Sequence, residues 1–237
     1  MSVKNVAVIL AAGNGKRFGE DTPKQFLKVG GRVVLEYSML GFQRHPLIDE
    51  FSVVAHPDYF DEVKSLAQKN NCTKLNKIIA GGRERYESSL AAIRAYESTP
   101  DINILLHDSA RPVLRQRYIT DVINALEKYN AVTVAVPEVD TIIKVNPDNM
   151  QMRSSLNRHE IFKVQTPQGF KLKTLIRAYE KGHKDPAFNP TDDCGVVHRY
   201  LSDELVCIVE GEYDNMKLTY KQDLDFLEKY LADFDNL

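Results

Sequence analysis

A glycine-rich segment near the N-terminus carries residue types that are typical of phosphate binding. Leu10–Gly19 combines small residues with glycines, and the cations Arg17 and Lys24 lie within it and just after it. Small residues let a ligand come close to backbone amides, and neighbouring cations favour an anionic ligand. We therefore predict that this loop binds a polyphosphate. The alternative is a tight strand–helix connection whose basic residues face water.

Two common phosphate-binding motifs do not fit this loop. The dinucleotide fingerprint Gly-x-Gly-x-x-Gly needs its third glycine three residues after the second. Here Gly13 and Gly15 fit the first two positions, but Gly19 comes four residues after Gly15. A P-loop requires four residues between its first glycine and Gly-Lys-Ser/Thr, and this spacing is missing. The sequence therefore favours neither a dinucleotide-dependent dehydrogenase nor a P-loop kinase.

A carboxylate follows the fourth apolar segment of the chain. His107-Asp108 ends this segment, and Arg111 comes three residues after Asp108. Ligands of parallel α/β sheets bind at the carboxyl ends of the strands, and Mg²⁺ prefers carboxylates together with phosphate oxygens. We therefore expect Asp108 to lie in the site and to be able to bind Mg²⁺. The alternative is an Asp108–Arg111 pair that only braces a loop.

Further candidates come from a second glycine turn and from the C-terminal half. Gly81-Gly82 ends the third apolar segment, and Ser88 lies near the start of the helix after it. Amides and hydroxyls at the start of a helix favour anions. Thr191 fits a helix N-cap, and Lys217 is the best candidate for an additional cation. The alternative is that these residues form only a turn and a helix cap and bind no ligand. That alternative does not account for Lys217.

These candidates lie at the ends of apolar segments that alternate with helical ones. The segments typical of buried strands are Val6–Leu10, Phe51–Ala55, Lys77–Ala80, Ile102–Leu106 and Ala131–Val136. The segments with helical spacing between them are Val33–Arg44, Tyr59–Lys69, Glu84–Tyr96 and Tyr118–Tyr129. Strands joined by helices form parallel crossovers. We therefore predict an α/β fold: a three-layer, Rossmann-like, mostly parallel sheet flanked by helices.

The alternation ends after Pro137, where the pattern changes to that of a hairpin. Thr141–Val145 and the residues from Met150 onward have an extended pattern, and Asn146–Asn149 between them has the composition of a turn. We predict that residues of about 139–163 form an inserted β-hairpin arm. Because no linker interrupts the rest of the chain, we expect a single domain over residues 1–237.

Composition excludes several classes of protein. Lys and Arg number 31 against 33 Asp and Glu, so the net charge of −2 does not favour binding to nucleic acids or to a membrane surface. No apolar run approaches the length of a membrane span, and the first residues lack the layout of a signal peptide. Three widely spaced cysteines match no metal-binding pattern. We therefore expect a reduced, cytoplasmic protein.

Taken together and in this order, the motifs resemble those of the 2-C-methyl-D-erythritol 4-phosphate cytidylyltransferase family. They also resemble those of its close relative, ribitol-5-phosphate cytidylyltransferase. The similarity spans nearly the whole chain, and the combination is far more specific than any single motif. The motifs are Leu10-Ala-Ala-Gly-x-Gly-x-Arg17, Pro23-Lys24-Gln25, Gly81-Gly82-x-Glu-Arg85, His107-Asp108-x-Ala-Arg111-Pro112, Asp140-Thr141, Gln165-Thr166-Pro167-Gln168, Thr191-Asp192 and Asn215-x-Lys217.

The resemblance implies a nucleotidyltransferase. In the family reaction a sugar-alcohol phosphate attacks the α-phosphorus of CTP, and pyrophosphate is released with Mg²⁺ as cofactor. The attacking phosphate is already charged at neutral pH, so no strong general base is needed. The resemblance also implies a homodimer in which the arm of each subunit reaches into the site of its partner.

The resemblance implies a role for each candidate. Arg17 and Lys24 would stabilise the transition state, in which charge builds on phosphate oxygens, and Lys217 would face the α-phosphate or the acceptor phosphate. The residues implied to bind the nucleotide are Ala12, Gly13, Gly82, Ser88 and Asp108, and Asp108 is also the implied metal ligand. The residues implied to bind the acceptor are Thr141 and Arg158 on the arm, together with Arg111 and Thr191.

Departures from the family pattern bear on the acceptor. Asn157 precedes Arg158 where the erythritol enzymes commonly have Asp, and Thr191–Gly195 is intermediate between the two families. Glu84-Arg85 and Leu35–Ser38 favour the erythritol branch. We therefore expect 2-C-methyl-D-erythritol 4-phosphate as the acceptor. Ribitol 5-phosphate is the alternative, and a non-catalytic nucleotide-binding module is a further one.

Overall fold

A seven-stranded sheet organises the protein in the computed structural model, which describes residues 3–13, 22–99, 101–232 and 234. The strands are β1 (Lys4–Ala11), β2 (Lys28–Val29), β3 (Arg32–Val33), β4 (Glu50–Ala55), β5 (Leu75–Ala80), β6 (Ile102–Asp108), β7 (Ala131–Pro137), β8 (Ile143–Asn146), β9 (Gln151–Ser155), β10 (Phe162–Lys171) and β11 (Val206–Glu210). The helices are α1 (Val34–Arg44), α2 (Phe60–Lys69), α3 (Arg85–Tyr96), α4 (Gln116–Ala125), α5 (Leu172–Gly182), α6 (Asp193–Tyr200) and α7 (Asp223–Leu231).

The order of strands in the main sheet is β11-β7-β10-β6-β1-β4-β5. The pairs β1–β4, β1–β6, β4–β5 and β7–β11 are parallel, and β10 runs antiparallel to both of its neighbours. The prediction of a mostly parallel α/β sheet flanked by helices is therefore confirmed. Because β1 and β6 are adjacent and parallel, the loops that follow them open at the same edge of the sheet.

Strand β1 is buried on both faces of the sheet from Val6 to Ala11. Ala7 and Ile9 belong to the core on one face of the sheet, where α1, α2 and α4 pack. Val6 and Val8 belong to the core on the other face, where α3, α5 and α6 pack. A strand covered on both faces needs apolar side chains at consecutive positions, and this produces the continuous run seen in the sequence.

Strand β10 is the main element that the sequence analysis missed. Its segment Gln165–Gly169 contains polar residues, a proline and a glycine, which are typical of a turn rather than of a central strand. In the structure the residues from Gln165 to Phe170 are buried between β6 and β7, with an irregularity in the pairing between Val164 and Gln168. The Thr166-Pro167 peptide bond is cis. Partners on neighbouring strands and loops satisfy the polar groups of this segment.

The segment predicted as an arm contains the antiparallel pair β8–β9, which forms a two-stranded sheet of its own. Its connecting turn includes Met150 at a φ of 54°. Apolar side chains along the segment and its flanks are exposed to solvent, namely Val139, Ile143, Val145, Met150, Met152, Phe162 and Val164. An apolar face of this extent is unusual on a surface that stays in contact with water.

Candidate active site

Predicted site residues meet at the edge of the sheet where β1 and β6 end. Leu10 of β1 is in register with Asp108, the last residue of β6. The Ser109 amide also donates to the Leu10 carbonyl at 3.1 Å. Ala12 and Gly13 follow β1 directly and therefore lie beside Asp108, as expected for parallel strands that end at a common edge.

Asp108 is largely buried and is held by two cations. Its Oδ1 accepts a hydrogen bond from Arg85 Nε at 2.9 Å, and its Oδ2 accepts one from Lys217 Nζ at 2.6 Å. Burial alone would raise the pKa of Asp108, but the charges of Arg85 and Lys217 outweigh it and hold the pKa well below its ordinary value. Asp108 is therefore an ionised carboxylate, and each of its two oxygens accepts a hydrogen bond from a cation.

Arg85 connects Asp108 to a second buried carboxylate. As the first residue of α3, it donates from Nη1 to Asp193 Oδ2 at 2.8 Å. Asp193, the first residue of α6, also accepts from the Tyr179 hydroxyl at 2.6 Å. Burial opposes the charge of Arg85, but the nearby Asp108 and Asp193 carboxylates raise its pKa above the ordinary value.

The backbone of Asp108 is fixed by a short chain of hydrogen bonds. Its amide donates to Thr166 Oγ1 at 3.1 Å, and the Thr166 hydroxyl lies 2.9 Å from His107 Nδ1. His107 Nε2 lies 3.1 Å from the Arg111 carbonyl, which can only accept a hydrogen bond. Nε2 therefore carries a proton, and because burial lowers the pKa of His107 to about 4, the ring is neutral near pH 7 and Nδ1 accepts from Thr166. This order requires a neutral His107.

Gln25 holds the start of the glycine loop, and its neighbour Lys24 is bound to the segment that carries Lys217. Gln25 Nε2 donates to the carbonyls of Ala11 and Gly13 at 2.7 and 2.9 Å. Lys24 Nζ donates to the carbonyl of Leu218, the residue after Lys217, at 2.6 Å. Lys24 therefore lies next to the segment that carries Lys217, as a shared site requires. The prediction for Arg17 falls outside the described residues.

The second glycine turn lies against the first. A Cβ atom on Gly81 would come within 2.2 Å of the Ala12 Cβ, so this close approach requires glycine. The Gly82 amide donates to Ser88 Oγ at 3.3 Å, and Ser88 is buried in the first turns of α3. The structure therefore brings together Ala12, Gly82 and Ser88, which the sequence analysis had placed in one site.

Arg111 braces the segment before Lys217 instead of pairing with Asp108. Its Nη1 donates to the Asn215 carbonyl at 2.6 Å, and its Nη2 donates to the Val164 carbonyl at 3.1 Å. The alternative of an Asp108–Arg111 loop brace is therefore wrong in its partner, since Asp108 is hydrogen-bonded to Arg85 and Lys217. Arg111 finds its acceptors elsewhere because two neighbouring segments present backbone carbonyls to it. One is Val164 of β10, and the other is Asn215 before Lys217.

A cavity of about 270 Å³ opens beside these groups. Its lining residues are Arg85, Asp108, Arg111, Val164, Gln165, Thr166, Gln168, Thr191, Asp192 and Lys217. A second cavity, of about 920 Å³, is bordered by Gly81, Gly82 and the outer face of α3. Thr191 is thus placed in the site, whereas Thr141 and Arg158 are exposed on the arm segment and do not line either cavity of the same chain.

Asp108 could contribute an oxygen ligand to a metal ion in this site. Each of its two oxygens accepts one hydrogen bond, from Arg85 or from Lys217, and keeps a further lone pair. Mg²⁺ would take its other ligands from substrate phosphates and water. Within the described ranges, no group of three or more His, Cys, Asp or Glu side chains could hold a metal. The prediction of Asp108 as a metal ligand therefore stays a prediction.

Sequence reasoning missed Asp193 and gave Arg85 no role of its own. In the sequence, Asp193 stands out only as part of the segment Thr191–Gly195, and Arg85 only as part of a motif. A signal was present, however, because a cation in the first turn of a helix is disfavoured by the helix dipole. Arg85 at the first position of α3 therefore indicated a nearby carboxylate.

Comparison with known proteins identifies the family. The model of the 2-C-methyl-D-erythritol 4-phosphate cytidylyltransferase family matches residues 5–233. The chain belongs to this family. The prediction from the order of motifs is thereby confirmed, and so is the expectation of a nucleotidyltransferase.

The similar proteins include one named for CDP-ribitol synthesis and others named 2-C-methyl-D-erythritol 4-phosphate cytidylyltransferase. The chain is 40% identical over 227 residues to the bifunctional ribulose 5-phosphate reductase/CDP-ribitol pyrophosphorylase of Haemophilus influenzae, covering 95% of this chain but 48% of that protein. The chain therefore spans about half the length of this relative. It is also 40% identical over 229 residues to the 2-C-methyl-D-erythritol 4-phosphate cytidylyltransferase of Thermobifida fusca, covering 95% and 92%.

A solved structure supports the same family. The crystal structure of 4-diphosphocytidyl-2C-methyl-D-erythritol synthase from Anaerococcus prevotii superposes with a TM-score of 0.85 at 31% identity. The superposition covers 97% of this chain and 96% of that one. The fold of the family therefore extends over nearly the whole chain.

The neutral His107 gives a prediction for stability. Burial lowers the pKa of His107 to about 4, whereas an unfolded histidine has its ordinary value near 6.5. We therefore expect the free energy of unfolding to keep the His107 contribution above pH ~6.5 and to lose it as the pH falls towards about 4. The slope from this group is at most about 1.4 kcal/mol per pH unit. Urea unfolding at a series of pH values measures it.

The matched variants are His107→Gln and His56→Gln, because His56 is an exposed histidine. We expect the free energy of unfolding to depend less on pH in His107→Gln than in the unsubstituted protein. In His56→Gln we expect the pH dependence to be the same as in the unsubstituted protein. The same pH dependence in His107→Gln as in the unsubstituted protein would contradict the assignment of a buried neutral His107.

Proposed function

We propose that the protein transfers the cytidylyl group of CTP to the phosphate of a sugar alcohol, with 2-C-methyl-D-erythritol 4-phosphate as the acceptor. The observation that carries this proposal is the family match over residues 5–233. The cations Lys24 and Lys217 at the edge of the sheet support it, since transfer between phosphates requires fixed positive charge.

The reaction asks the protein to orient two phosphates. An oxygen of the acceptor phosphate forms a bond to the α-phosphorus of CTP. The bond between that phosphorus and the oxygen bridging to the β-phosphate breaks, and pyrophosphate leaves with the electron pair. Because the attacking oxygen is already anionic near neutral pH, no side chain has to remove a proton from it. Orientation and charge stabilisation are then the main tasks of the protein.

Lys217, Lys24 and Arg17 are proposed to stabilise the charge that develops in the transition state. The Lys217 side chain borders the smaller cavity together with Thr191, and Lys24 is bound to the backbone next to Lys217. Both ammonium groups are therefore anchored to the same short segment before α7. Arg17 is assigned to the transition state by family resemblance.

The nucleoside of CTP is proposed to lie where the two glycine turns meet. Ala12 and Gly13 would offer backbone groups from one turn, and Gly82 and Ser88 would do so from the other. Asp108 would lie on the ribose side, within the same edge. The predicted requirement for Mg²⁺ remains part of the proposal, and the assay below can test it by chelation.

A second candidate acceptor is ribitol 5-phosphate. The observation that favours it is the 40% identity to the Haemophilus influenzae protein whose name includes CDP-ribitol pyrophosphorylase. The cations of the site would serve either acceptor, since both present a phosphate on a polyol. Arg111 and Thr191, with Arg158 and Thr141 of a neighbouring arm, are the residues proposed to bind the acceptor.

The assembly is proposed to be a homodimer formed through the arm segment, residues 139–163. The exposed apolar side chains of β8 and β9 support this, because an interface would remove them from water. Within the described residues, no helix is both long enough and apolar enough to cross a bilayer. We further propose that the protein acts in the cytoplasm, to which its free thiols at Cys72, Cys194 and Cys207 are suited.

An acceptor comparison tests the proposed function. Release of pyrophosphate is measured with CTP and Mg²⁺, using 2-C-methyl-D-erythritol 4-phosphate and ribitol 5-phosphate as separate acceptors. We expect the higher kcat/KM with the methylerythritol compound. A higher value with ribitol 5-phosphate would support the second candidate. Binding of CTP without turnover of either acceptor would indicate a nucleotide-binding module.

A substitution in the glycine loop tests the proposed role of Arg17. We expect Arg17→Ala to lower kcat on the order of 10²-fold or more, because a fixed cation at the developing charge is lost. The effect on CTP binding should be smaller. Lys16→Ala is the matched control, since it removes a neighbouring charge with no assigned role. An unchanged kcat in Arg17→Ala would remove Arg17 from the mechanism.

Substitutions on the hairpin test the proposed dimer. Val145 and Met152 face each other across β8 and β9 and are both exposed. We expect Val145→Asp/Met152→Asp to yield monomers by light scattering, because charged groups oppose burial of this face. The KM for the acceptor should rise while CTP binding is kept. Ser154→Asp is the control on the same hairpin. A dimer that persists in the double variant would contradict the proposal.

A further inference from the structure

A row of charged side chains of alternating sign runs from the interior to the smaller cavity. The Tyr179 hydroxyl donates to Asp193 Oδ1 at 2.6 Å, and Arg85 Nη1 donates to Asp193 Oδ2 at 2.8 Å. Arg85 Nε donates to Asp108 Oδ1 at 2.9 Å, and Lys217 Nζ donates to Asp108 Oδ2 at 2.6 Å. The row therefore joins α5 and the first residue of α6 to the segment that carries Lys217.

Lys217 is the most exposed member of this row. Its side chain is 35% exposed, compared with 24% for Arg85, 11% for Asp108 and 0% for Asp193. It also stands at the end of the row, whereas Arg85 is held between two carboxylates. A ligand phosphate in the cavity would therefore draw Lys217 away from Asp108 and leave the inner groups in place.

If Lys217 moved to a ligand, another cation would have to stay paired with Asp108. A buried carboxylate without a partner is strongly unfavourable. Arg111, the other guanidinium nearby, donates from its two terminal nitrogens to backbone carbonyls. Arg85 is suited to the task, because its fork places Nε on Asp108 and Nη1 on Asp193 at the same time, which a single amine does not do.

We propose that Arg85 is a positioning residue for cytidylyl transfer. It keeps Asp108 paired and oriented while Lys217 moves to a phosphate of the nucleotide, and Asp193 with Tyr179 holds Arg85 in place. This inference rests on the proposed function, because it assigns Lys217 to a phosphate. Without Arg85, Lys217 would be the close partner left to Asp108 and would be less available to the ligand.

A merely structural role for Arg85 makes a different prediction. In that case Arg85 would serve only to neutralise the buried Asp193, and removal of both charges together would restore the protein. The double variant Arg85→Gln/Asp193→Asn separates the two roles. It removes one positive and one negative charge, and the asparagine introduced in α6 still offers an acceptor to Tyr179.

The experiment compares Arg85→Gln, Arg85→Gln/Asp193→Asn and Arg85→Lys with the unsubstituted protein. Melting temperature, the Kd for CTP by calorimetry, kcat and the KM for CTP are measured for each. Arg177→Gln is the matched control, because Arg177 is half exposed and pairs with Glu204 and Asp203 at the surface. We expect this control to bind CTP and to turn over as the unsubstituted protein does.

We expect Arg85→Gln to weaken CTP binding and to lower kcat/KM for CTP by about tenfold or more, since groups in one network of ion pairs are coupled by energies of that order. In the double variant the melting temperature should recover, but the loss in CTP affinity and in kcat/KM should remain. Arg85→Lys keeps the charge without the fork and should show an intermediate loss.

Two results would overturn the inference. One is recovery of CTP affinity and kcat/KM in the double variant, which would assign Arg85 to stability alone. The other is an Arg85→Lys protein with unchanged affinity and kcat/KM, which would show that the fork is not needed. An unsubstituted protein that binds CTP without turning over either acceptor would instead overturn the proposed function, and the calorimetric comparison would still decide the role of Arg85.

Discussion

The site depends on one buried carboxylate. Asp108 lies at the end of a fully buried strand, where an uncompensated negative charge would be strongly unfavourable. The compensating cations come from sequence positions 23 residues before it and 109 residues after it. The requirement to pair this charge therefore brings together the start of α3 and the segment before α7. These are the segments that border the proposed positions of the nucleoside and of the phosphates.

The antiparallel strand β10 makes this convergence possible. It lies between β6 and β7, and its Thr166 accepts from the Asp108 amide while its Gln165 donates to the Glu212 carbonyl. Gln168, which is fully buried, accepts from the Asp193 amide and donates to the Asp192 side chain. A strand of apolar residues in this place would leave these groups unsatisfied. The polar side chains of β10 thus hold Asp108 on one side of the site and the start of α6 on the other.

The apolar core and the charged groups of the site occupy different parts of the sheet. The core on both faces of the sheet is apolar and contains the strands up to their last residues. The charged groups begin where those strands end, and Lys217, which borders the cavity, is the most exposed of the paired groups around Asp108. The hairpin β8–β9 projects its apolar residues away from this core. In this arrangement the charged side chains of the site can rearrange around a ligand while the apolar core of the sheet keeps its packing.

The sequence by itself determined the parallel strands, the helices between them and most positions of the site. Runs such as Val6–Leu10 indicate burial on both faces, since strands covered on both faces are mostly continuous apolar runs. Ala12, Gly82 and Asp108 could be assigned to one edge because parallel strands end together, whereas Ser88 and Lys217 were candidates as a helix start and as an additional cation. The match in motif order added the family.

Only the tertiary structure decided which charges are paired. Asp108 could have been matched with Arg111 from spacing alone, but the partners are Arg85 and Lys217. The strand β10 was hidden for a related reason, because its polar groups are satisfied by neighbours distant in sequence. Periodicity reports the burial of each residue within its own element, whereas the partner of a buried polar group depends on which strands become adjacent. That adjacency is a property of the assembled sheet and not of any local segment.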